Sequence, residues 1–229
     1  MKIQLNKKIS INNFFFLIFF ILYLISLNLL QLDLVGSISI VFVAFITFIY
    51  TKVYRSLATI LYLALAVRLI VILLGHHFVI LPDSWGDATI FELKAWQMSQ
   101  DGFFAVFDKF PSNKTSLSIS WVLAFFYSLT DRSVIMGQSL SLLFGMGSVL
   151  LGSHLANKIW SEKISIKVGW IIALYPTLIL YSSLILREAY VWFFLLVSIY
   201  GIIFWFKNEI FKALLFLLIG FSGATFFQD

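Results

Sequence analysis

The sequence contains no cysteine. This absence excludes disulfide bonds, thiolate metal ligands and a cysteine nucleophile, although it does not identify the compartment. Charge is scarce as well, since charged residues make up 12% of the 229 residues, against about 25% in a typical soluble domain. So few charges cannot cover a water-facing surface, and the composition therefore excludes an ordinary soluble globular protein.

Hydrophobic residues are abundant, at 61% of the chain, and they occur in continuous runs. Continuous runs predict membrane helices, because the strands of a membrane β-barrel alternate in polarity. A crossing helix needs about 20 apolar residues. The candidate spans are 13–31, 34–50, 57–75, 134–156, 168–186, 189–206 and 210–227. We predict an all-α polytopic membrane protein with about seven transmembrane helices, the first of them an uncleaved helix.

Lysine placement predicts the orientation. The basic N-terminus, with Lys2, Lys7 and Lys8, belongs in the cytoplasm by the positive-inside rule. The apolar stretch 117–129 is short for a span, and treating it as an in-plane helix also returns the basic turn 158–167 to the cytoplasm. The loop 76–116 is then outside. We expect an integral plasma (inner) membrane protein, and the net charge of +5 indicates no nucleic-acid partner, because the lysines lie at span ends.

A surface helix is predicted over 88–100 in this outer loop. Apolar residues share one face of it by their spacing, and a helix stop follows at Asp101-Gly102. The face consists of Ala88, Phe91, Ala95 and Met98. A helix of this length with one apolar stripe is expected to lie on the membrane surface.

The segment 82–92 is a polar island directly after an apolar span. It contains Asp83, Trp85 and Asp87. Asp is a favoured helix N-cap, so a purely structural role for Asp87 stays open beside a role as proton acceptor. The two acids could also hold a divalent cation such as Mg²⁺ or Mn²⁺, since hard cations prefer oxygen ligands. Trp85 is either a sugar-stacking residue or an interfacial aromatic.

Further charged residues lie inside a predicted span or between two spans, where a charge is energetically costly. Arg68 lies inside the span 57–75, where it either snorkels to the interface or binds a lipid phosphate through its bidentate fork. Arg187 and Glu188 lie between two spans, on the same predicted side as Asp87. Adjacent residues on a helix do not face each other, so these two charges need not neutralise one another.

Three features follow one another between residues 55 and 210. An acid opens the surface helix and is followed by an aromatic residue, a small residue and a helix-ending glycine. These positions are Asp87, Phe91, Ala95 and Gly102. The outer loop carries two short in-plane helices, and a later span with a proline leads to a short polar turn with an acid. The landmarks of that turn are Pro176, Ser182, Ser183, Arg187 and Glu188.

In this combination the chain resembles the GT-C superfamily of membrane glycosyltransferases, above all the lipid A aminoarabinose transferases and protein O-mannosyltransferases. The resemblance implies that residues 55–229 form a GT-C-like core and that 1–54 add two N-terminal helices. Family members are usually longer, so the chain is expected to be a truncated first part. Here the acid stands between Gly86 and Ala88 rather than beside a second acid.

The resemblance implies inverting transfer of a sugar from a polyprenyl-phosphate donor lipid to a lipid, glycan or protein acceptor at the outer face. Asp87 is then the expected general base. Substrate-binding roles fall to the cations Arg187, Arg68 and Lys94, to the acids Asp83 and Glu188, and to Trp85.

Two other functions stay open. An O-antigen-type glycan polymerase would also join lipid-linked sugars outside, and it would depend on Arg187 more than on Asp87. A non-catalytic transporter or assembly subunit would need a partner chain, as expected if the chain is a fragment.

Overall fold

The computed structural model of the chain describes residues 33–110 and 117–228, which are helical throughout apart from turns and short connections. The described helices are α1 (Leu34–Val53), a 3₁₀ turn (Arg55–Leu57), α2 (Ala58–His77), α3 (Asp87–Ser99), α4 (Phe103–Asp108), α5 (Ser118–Leu129), α6 (Val134–Ile159), α7 (Glu162–Leu174), α8 (Pro176–Tyr181), α9 (Glu188–Phe206) and α10 (Ile210–Gln228). The predicted first span, 13–31, lies outside the described residues.

Long apolar helices dominate this part of the chain. Five are long and apolar enough to cross a membrane: Leu34–Val53, Arg55–His77, Val134–Ile159, Glu188–Phe206 and Ile210–Gln228. The prediction of an all-α integral membrane protein is thus confirmed for the described residues, with five candidate spans. The total of seven spans stays a prediction. The two predicted surface helices are present as α3 and α5, and their placement in the membrane plane also stays a prediction.

The predicted continuous span over 168–186 is wrong. Helix α7 ends at Leu174, and α8 starts at Pro176 and lasts only to Tyr181. Proline has no N–H to continue the helical bonds, and it forces the preceding residue toward extended conformation. Tyr175 accordingly has φ −66° and ψ 117°. A short segment, 182–187, follows α8, and the two serines of the predicted polar turn, Ser182 and Ser183, are buried in it.

Helix α6 is the central element, because it packs against α1, α2, α7 and α9. Small residues allow the close approach. A Cβ added at Gly145 would come within 2.7 Å of the Ser182 hydroxyl. The α9–α10 hairpin is packed even more closely: a Cβ at Gly201 would lie 2.8 Å from the Leu217 amide nitrogen, and one at Gly220 would lie 2.8 Å from the Phe194 carbonyl oxygen.

Acids and cations are unevenly distributed between the two ends of this bundle. Helices α1 and α6 start together, since the Ser133 hydroxyl donates to Asp33 at 2.9 Å. The start of α9 meets the end of α10, where Arg187 donates to the Gln228 carbonyl at 2.9 Å. We call this the acidic end; its acids are Asp33, Asp83, Asp87, Glu92, Asp101, Asp108, Asp131 and Glu188. The opposite, cationic end carries two acids, Glu162 and Glu209, and seven cations: Lys52, Arg55, Lys158, Lys163, Lys167, Lys207 and Lys212.

The chain suits a test of orientation, because a sequence without cysteine gives no background labelling. We expect a membrane-impermeant maleimide to label Asp108→Cys, at the acidic end, on intact cells. Ser161→Cys, at the cationic end, should react only after permeabilisation, since lysine-rich ends stay in the cytoplasm. The reverse pattern would show that the orientation predicted from the lysines is wrong.

Candidate functional site

The polar island forms a tight turn in front of α3. Ser84 donates to the Leu81 carbonyl from its hydroxyl at 2.6 Å, and the Thr89 hydroxyl donates to the Ser84 carbonyl at 2.7 Å. Asp83 adopts a left-handed conformation with φ 63°, which Asp tolerates better than most residues. Trp85 lies within this turn and is 78% exposed.

Asp87 is the first residue of α3 and not its N-cap. Gly86 occupies the cap position, and no side chain caps the helix there. The structural role that the sequence left open for Asp87 is therefore not found. Its carboxylate is exposed and accepts no hydrogen bond from the residues that the structure describes. A free carboxylate in the first turn is favoured by the helix dipole and is available to a ligand.

The inner face of α3 contains three of the four residues predicted from spacing: Ala88, Phe91 and Ala95 are buried, whereas Met98 is only partly buried. Helix α5 covers this face, and the Ser120 hydroxyl donates to the Phe91 carbonyl at 2.8 Å. Lys94 stays exposed on α3, seven residues after Asp87. Seven residues are close to two helical turns, so the two side chains share one side of α3, about 10 Å apart along its axis.

An ion pair between a buried glutamate and a partly exposed arginine attaches α3 to the bundle. Glu92 is 4% exposed and accepts two hydrogen bonds from Arg132, from Nε at 2.8 Å and from a terminal nitrogen at 2.7 Å. The Tyr127 hydroxyl lies 3.1 Å from the same carboxylate. Bonding to Glu92 raises the pKa of Arg132, and burial, with the Glu92 charge, raises the pKa of Tyr127. The Arg132 guanidinium also lies 5.9 Å from the Trp96 ring centre.

The same network continues to the starts of two long helices. The Tyr127 hydroxyl lies 2.9 Å from the Ser133 carbonyl oxygen. The Ser133 side chain caps α6 by accepting from Met136 N–H at 3.0 Å, and Asp33 caps α1. Because Ser133 also bonds Asp33, polar contacts link α3, α5, α6 and α1 at the acidic end. Sequence reasoning missed this network; its only signal was a glutamate beside the apolar stripe of α3.

Arg68 lies inside the bundle and is completely buried. Its Nε donates to the Ser182 hydroxyl at 2.8 Å, and one terminal nitrogen donates to the Ala173 carbonyl at 2.9 Å and the Ala64 carbonyl at 3.2 Å. The other terminal nitrogen lies 3.4 Å from the Ile172 carbonyl. Arg68 therefore does not reach the surface, as snorkelling would require, and its occupied donors argue against a phosphate-binding role.

Arg187 and Glu188 stand at the start of α9. The Arg187 Nε lies 3.7 Å from a Glu188 carboxylate oxygen, so the expectation that these neighbours do not face each other is wrong. Arg187 is the N-cap residue of α9, so its side chain stands at the helix end and not within the helix. The second Glu188 oxygen is buried without a hydrogen-bond partner among the described residues.

The structure therefore assigns the predicted residues to two locations. Asp83, Trp85, Asp87, Lys94, Arg187 and Glu188 lie at the acidic end, and Arg68 lies within the bundle. Over residues 33–110 and 117–228, no three His, Asp or Glu side chains converge as metal ligands. Asp83 and Asp87 would supply two carboxylates at most, and cation binding by them stays a prediction.

Comparison with known proteins gives no match for this chain, whether to a protein-family model, to a curated protein or to a solved structure. The resemblance to the GT-C enzymes thus rests on the motifs alone, and membership of that superfamily stays a prediction.

Replacement of Arg68 should destabilise the protein strongly. Arg68→Leu leaves the Ile172 and Ala173 carbonyls buried without donors, at a cost of about 1–3 kcal/mol each. We expect the melting temperature in detergent to fall by about 5 °C or more. The exposed Arg55→Gln is the control and should melt close to wild type.

Pro176→Ala supplies a second variant for the same contact. The new N–H at position 176 can bond the Ile172 carbonyl within a continued helix. The Arg68→Leu/Pro176→Ala double variant should therefore lose less stability than the sum of the two single losses. Unchanged melting of Arg68→Leu, or strictly additive losses, would contradict the proposed contact between arginine and helix end.

Loss of the Glu92–Arg132 pair should loosen α3 locally. In Glu92→Gln we expect the free energy of local opening of α3 to fall by about 2 kcal/mol. This loss is smaller than for a fully buried pair, because Arg132 is partly exposed. The α3 amides should therefore exchange hydrogen about thirtyfold faster. The central helix α6 should be little affected. Asp101→Asn, which breaks the exposed Lys109–Asp101 pair, is the control and should change exchange only slightly. Equal exchange in both variants would contradict this role.

Proposed function

We propose that this chain is a membrane glycosyltransferase that moves a sugar from a polyprenyl-phosphate donor to an acceptor hydroxyl at the acidic end. In this proposal the acidic end faces the outside of the plasma (inner) membrane, with the N-terminus in the cytoplasm. The observation that carries it is Asp87: an exposed carboxylate with no partner among residues 33–110 and 117–228, on a helix that contacts with the bundle hold in place.

The proposed reaction is an inverting displacement at the anomeric carbon. The acceptor oxygen forms a bond to that carbon, while the bond from the carbon to the donor phosphate oxygen breaks. Asp87 takes the acceptor proton, and the polyprenyl phosphate leaves with the electron pair. A well-placed base of this kind contributes roughly 10²–10⁴-fold in rate.

Neighbouring side chains fit the other requirements of this chemistry. Lys94 shares a side of α3 with Asp87 and carries a positive charge suited to the leaving phosphate. Trp85 is exposed before the helix and offers an aromatic face to a sugar ring. Asp83 and Glu188 are proposed acceptor ligands, and Arg187 is a second proposed phosphate ligand. Mg²⁺ or Mn²⁺ binding by the acids is not needed for the step described.

Exposed aromatic residues near this segment support a position at a membrane surface. Phe104, Phe107 and Phe110 are at least half exposed, on and just after α4. The Trp121 indole donates to the Val106 carbonyl at 2.8 Å, which holds α4 against α5. Such a ridge suits the lipid interface, where a lipid-linked donor and a water-borne acceptor can meet.

One observation favours a different function. The break between α7 and α8, beside a buried arginine, is typical of transporters, whose substrate sites use discontinuous helices. A transporter or assembly subunit is therefore the second candidate. Against it, the Arg68 donors are already bonded within the protein. A glycan polymerase is the third candidate, and it would depend on Arg187.

The test is turnover of a synthetic polyprenyl-phosphate hexose by the purified full chain, with released polyprenyl phosphate measured by mass spectrometry. We expect Asp87→Asn to lower the rate at least about a hundredfold, because the amide cannot accept the proton. Asp108→Asn removes an exposed acid outside the proposed site and is the matched control.

The outcomes separate the candidates. Full turnover by Asp87→Asn would overturn the proposed base. A larger loss in Arg187→Gln than in Asp87→Asn would favour the polymerase. Absence of turnover by the wild-type chain, with a partner protein retained after gentle solubilisation, would favour the assembly subunit.

A further inference from the structure

A large apolar cavity extends from the middle of the bundle toward its cationic end. Its volume is about 920 Å³, and it is partly open and lined by α1, α6, α9 and α10, with one residue from α2. Small-molecule sites typically measure about 300–1,000 Å³ and are mostly apolar, so this cavity is at the upper end of that range. Representative lining residues are Ile46, Leu143, Leu150, Phe193, Val197 and Phe216.

One part of the lining differs from the rest, because it is aromatic and polar. The His154 ring lies 5.7 Å from the Tyr54 ring and 5.9 Å from the Tyr200 ring, and all three line the cavity. His154 and Tyr200 lie near the cationic ends of α6 and α9, and Tyr54 follows α1. The cavity therefore changes from apolar to polar toward the lysine-rich end.

A lysine stands beside this polar part. The Lys158 ammonium lies 5.5 Å from the Tyr200 ring centre, one helical turn after His154 on α6. Lys158 forms no ion pair with any residue in the described part of the chain. Glu209 is close enough to feel its charge, but that carboxylate is bonded to Lys212. The positive charge at this edge is thus not neutralised by a direct carboxylate contact.

We propose that the cavity binds one anionic phospholipid, drawn from the membrane leaflet at the cationic end. Its acyl chains would lie among the apolar residues, and its phosphate headgroup would lie at Lys158 beside His154. The complementarity decides the occupant: an apolar body with a negative head matches an apolar cavity with an unneutralised cation at its edge. The inference is independent of the sugar-transfer proposal, since it concerns the opposite end of the bundle.

The test is native mass spectrometry of the full chain in detergent, titrated separately with dioleoyl phosphatidylglycerol and dioleoyl phosphatidylcholine. We expect one tight phosphatidylglycerol site and weaker phosphatidylcholine binding. Lys158→Gln should weaken phosphatidylglycerol binding about fivefold, since a surface lysine contributes about 1 kcal/mol toward an anionic headgroup. Phosphatidylcholine binding should be unchanged in that variant.

Two further variants complete the design. Lys163→Gln removes a lysine from the same end but outside the cavity, and it should leave both affinities unchanged. Leu150→Trp fills the cavity and should remove the tight site, with the melting temperature measured to verify folding. Should it fail to fold, Lys158→Gln still decides, because that residue is exposed.

Three results would overturn the inference. The first is equal affinity for the two lipids in the wild-type chain. The second is an equal effect of Lys158→Gln and Lys163→Gln. The third is the absence of a tight site together with a dimer mass that Leu150→Trp disrupts, which would make a second copy of the chain the occupant.

Discussion

The hydrogen bonds from Arg68 to the end of α7 are the constraint on which the bundle interior depends. A helix that stops inside an apolar environment leaves carbonyl oxygens without donors, and hydrocarbon supplies none. Pro176 makes such a stop, and the guanidinium donates to carbonyls of the last α7 turn. The negative end of the α7 dipole in turn favours the buried positive charge, for which the described residues supply no acid. The buried end of α7 and the buried charge of Arg68 would each be costly alone, and each is stabilised by the other.

A second polar network joins helices at the acidic end. There the Glu92 carboxylate, the Arg132 guanidinium and the Tyr127 hydroxyl join a surface helix to the caps of two long helices. The exposed acid Asp87 lies on that surface helix, five residues before Glu92. A proton acceptor on a loosely attached helix would move by more than catalysis tolerates. The Glu92–Arg132 pair therefore helps to hold the exposed acid in a fixed position. The proposed chemistry therefore depends on a residue that no substrate would touch.

The sequence predicted those elements that follow from local pattern. Long apolar runs gave the helices α1, α2, α6, α9 and α10 because hydropathy is a local property, and spacing gave the buried face of α3. Contacts between distant residues were out of reach. Arg68 and Ala173 are more than 100 positions apart, and Glu92 and Arg132 are 40 apart. Pro176 was a local signal that could have been used, since a proline inside an apolar run predicts a break.

The close α9–α10 hairpin has a consequence for how the sequence can vary. Where Gly201 and Gly220 meet the partner backbone, any side chain would collide with main-chain atoms that cannot move aside. On the opposite face, more than half of the surface of Phe211, Leu214 and Leu218 is exposed. These positions require an apolar side chain but no particular shape. The substitutions that this hairpin tolerates thus depend on the helix face on which the residue lies. On one side, apolar residues can replace one another, whereas two positions on the other side have space for no side chain larger than a hydrogen atom.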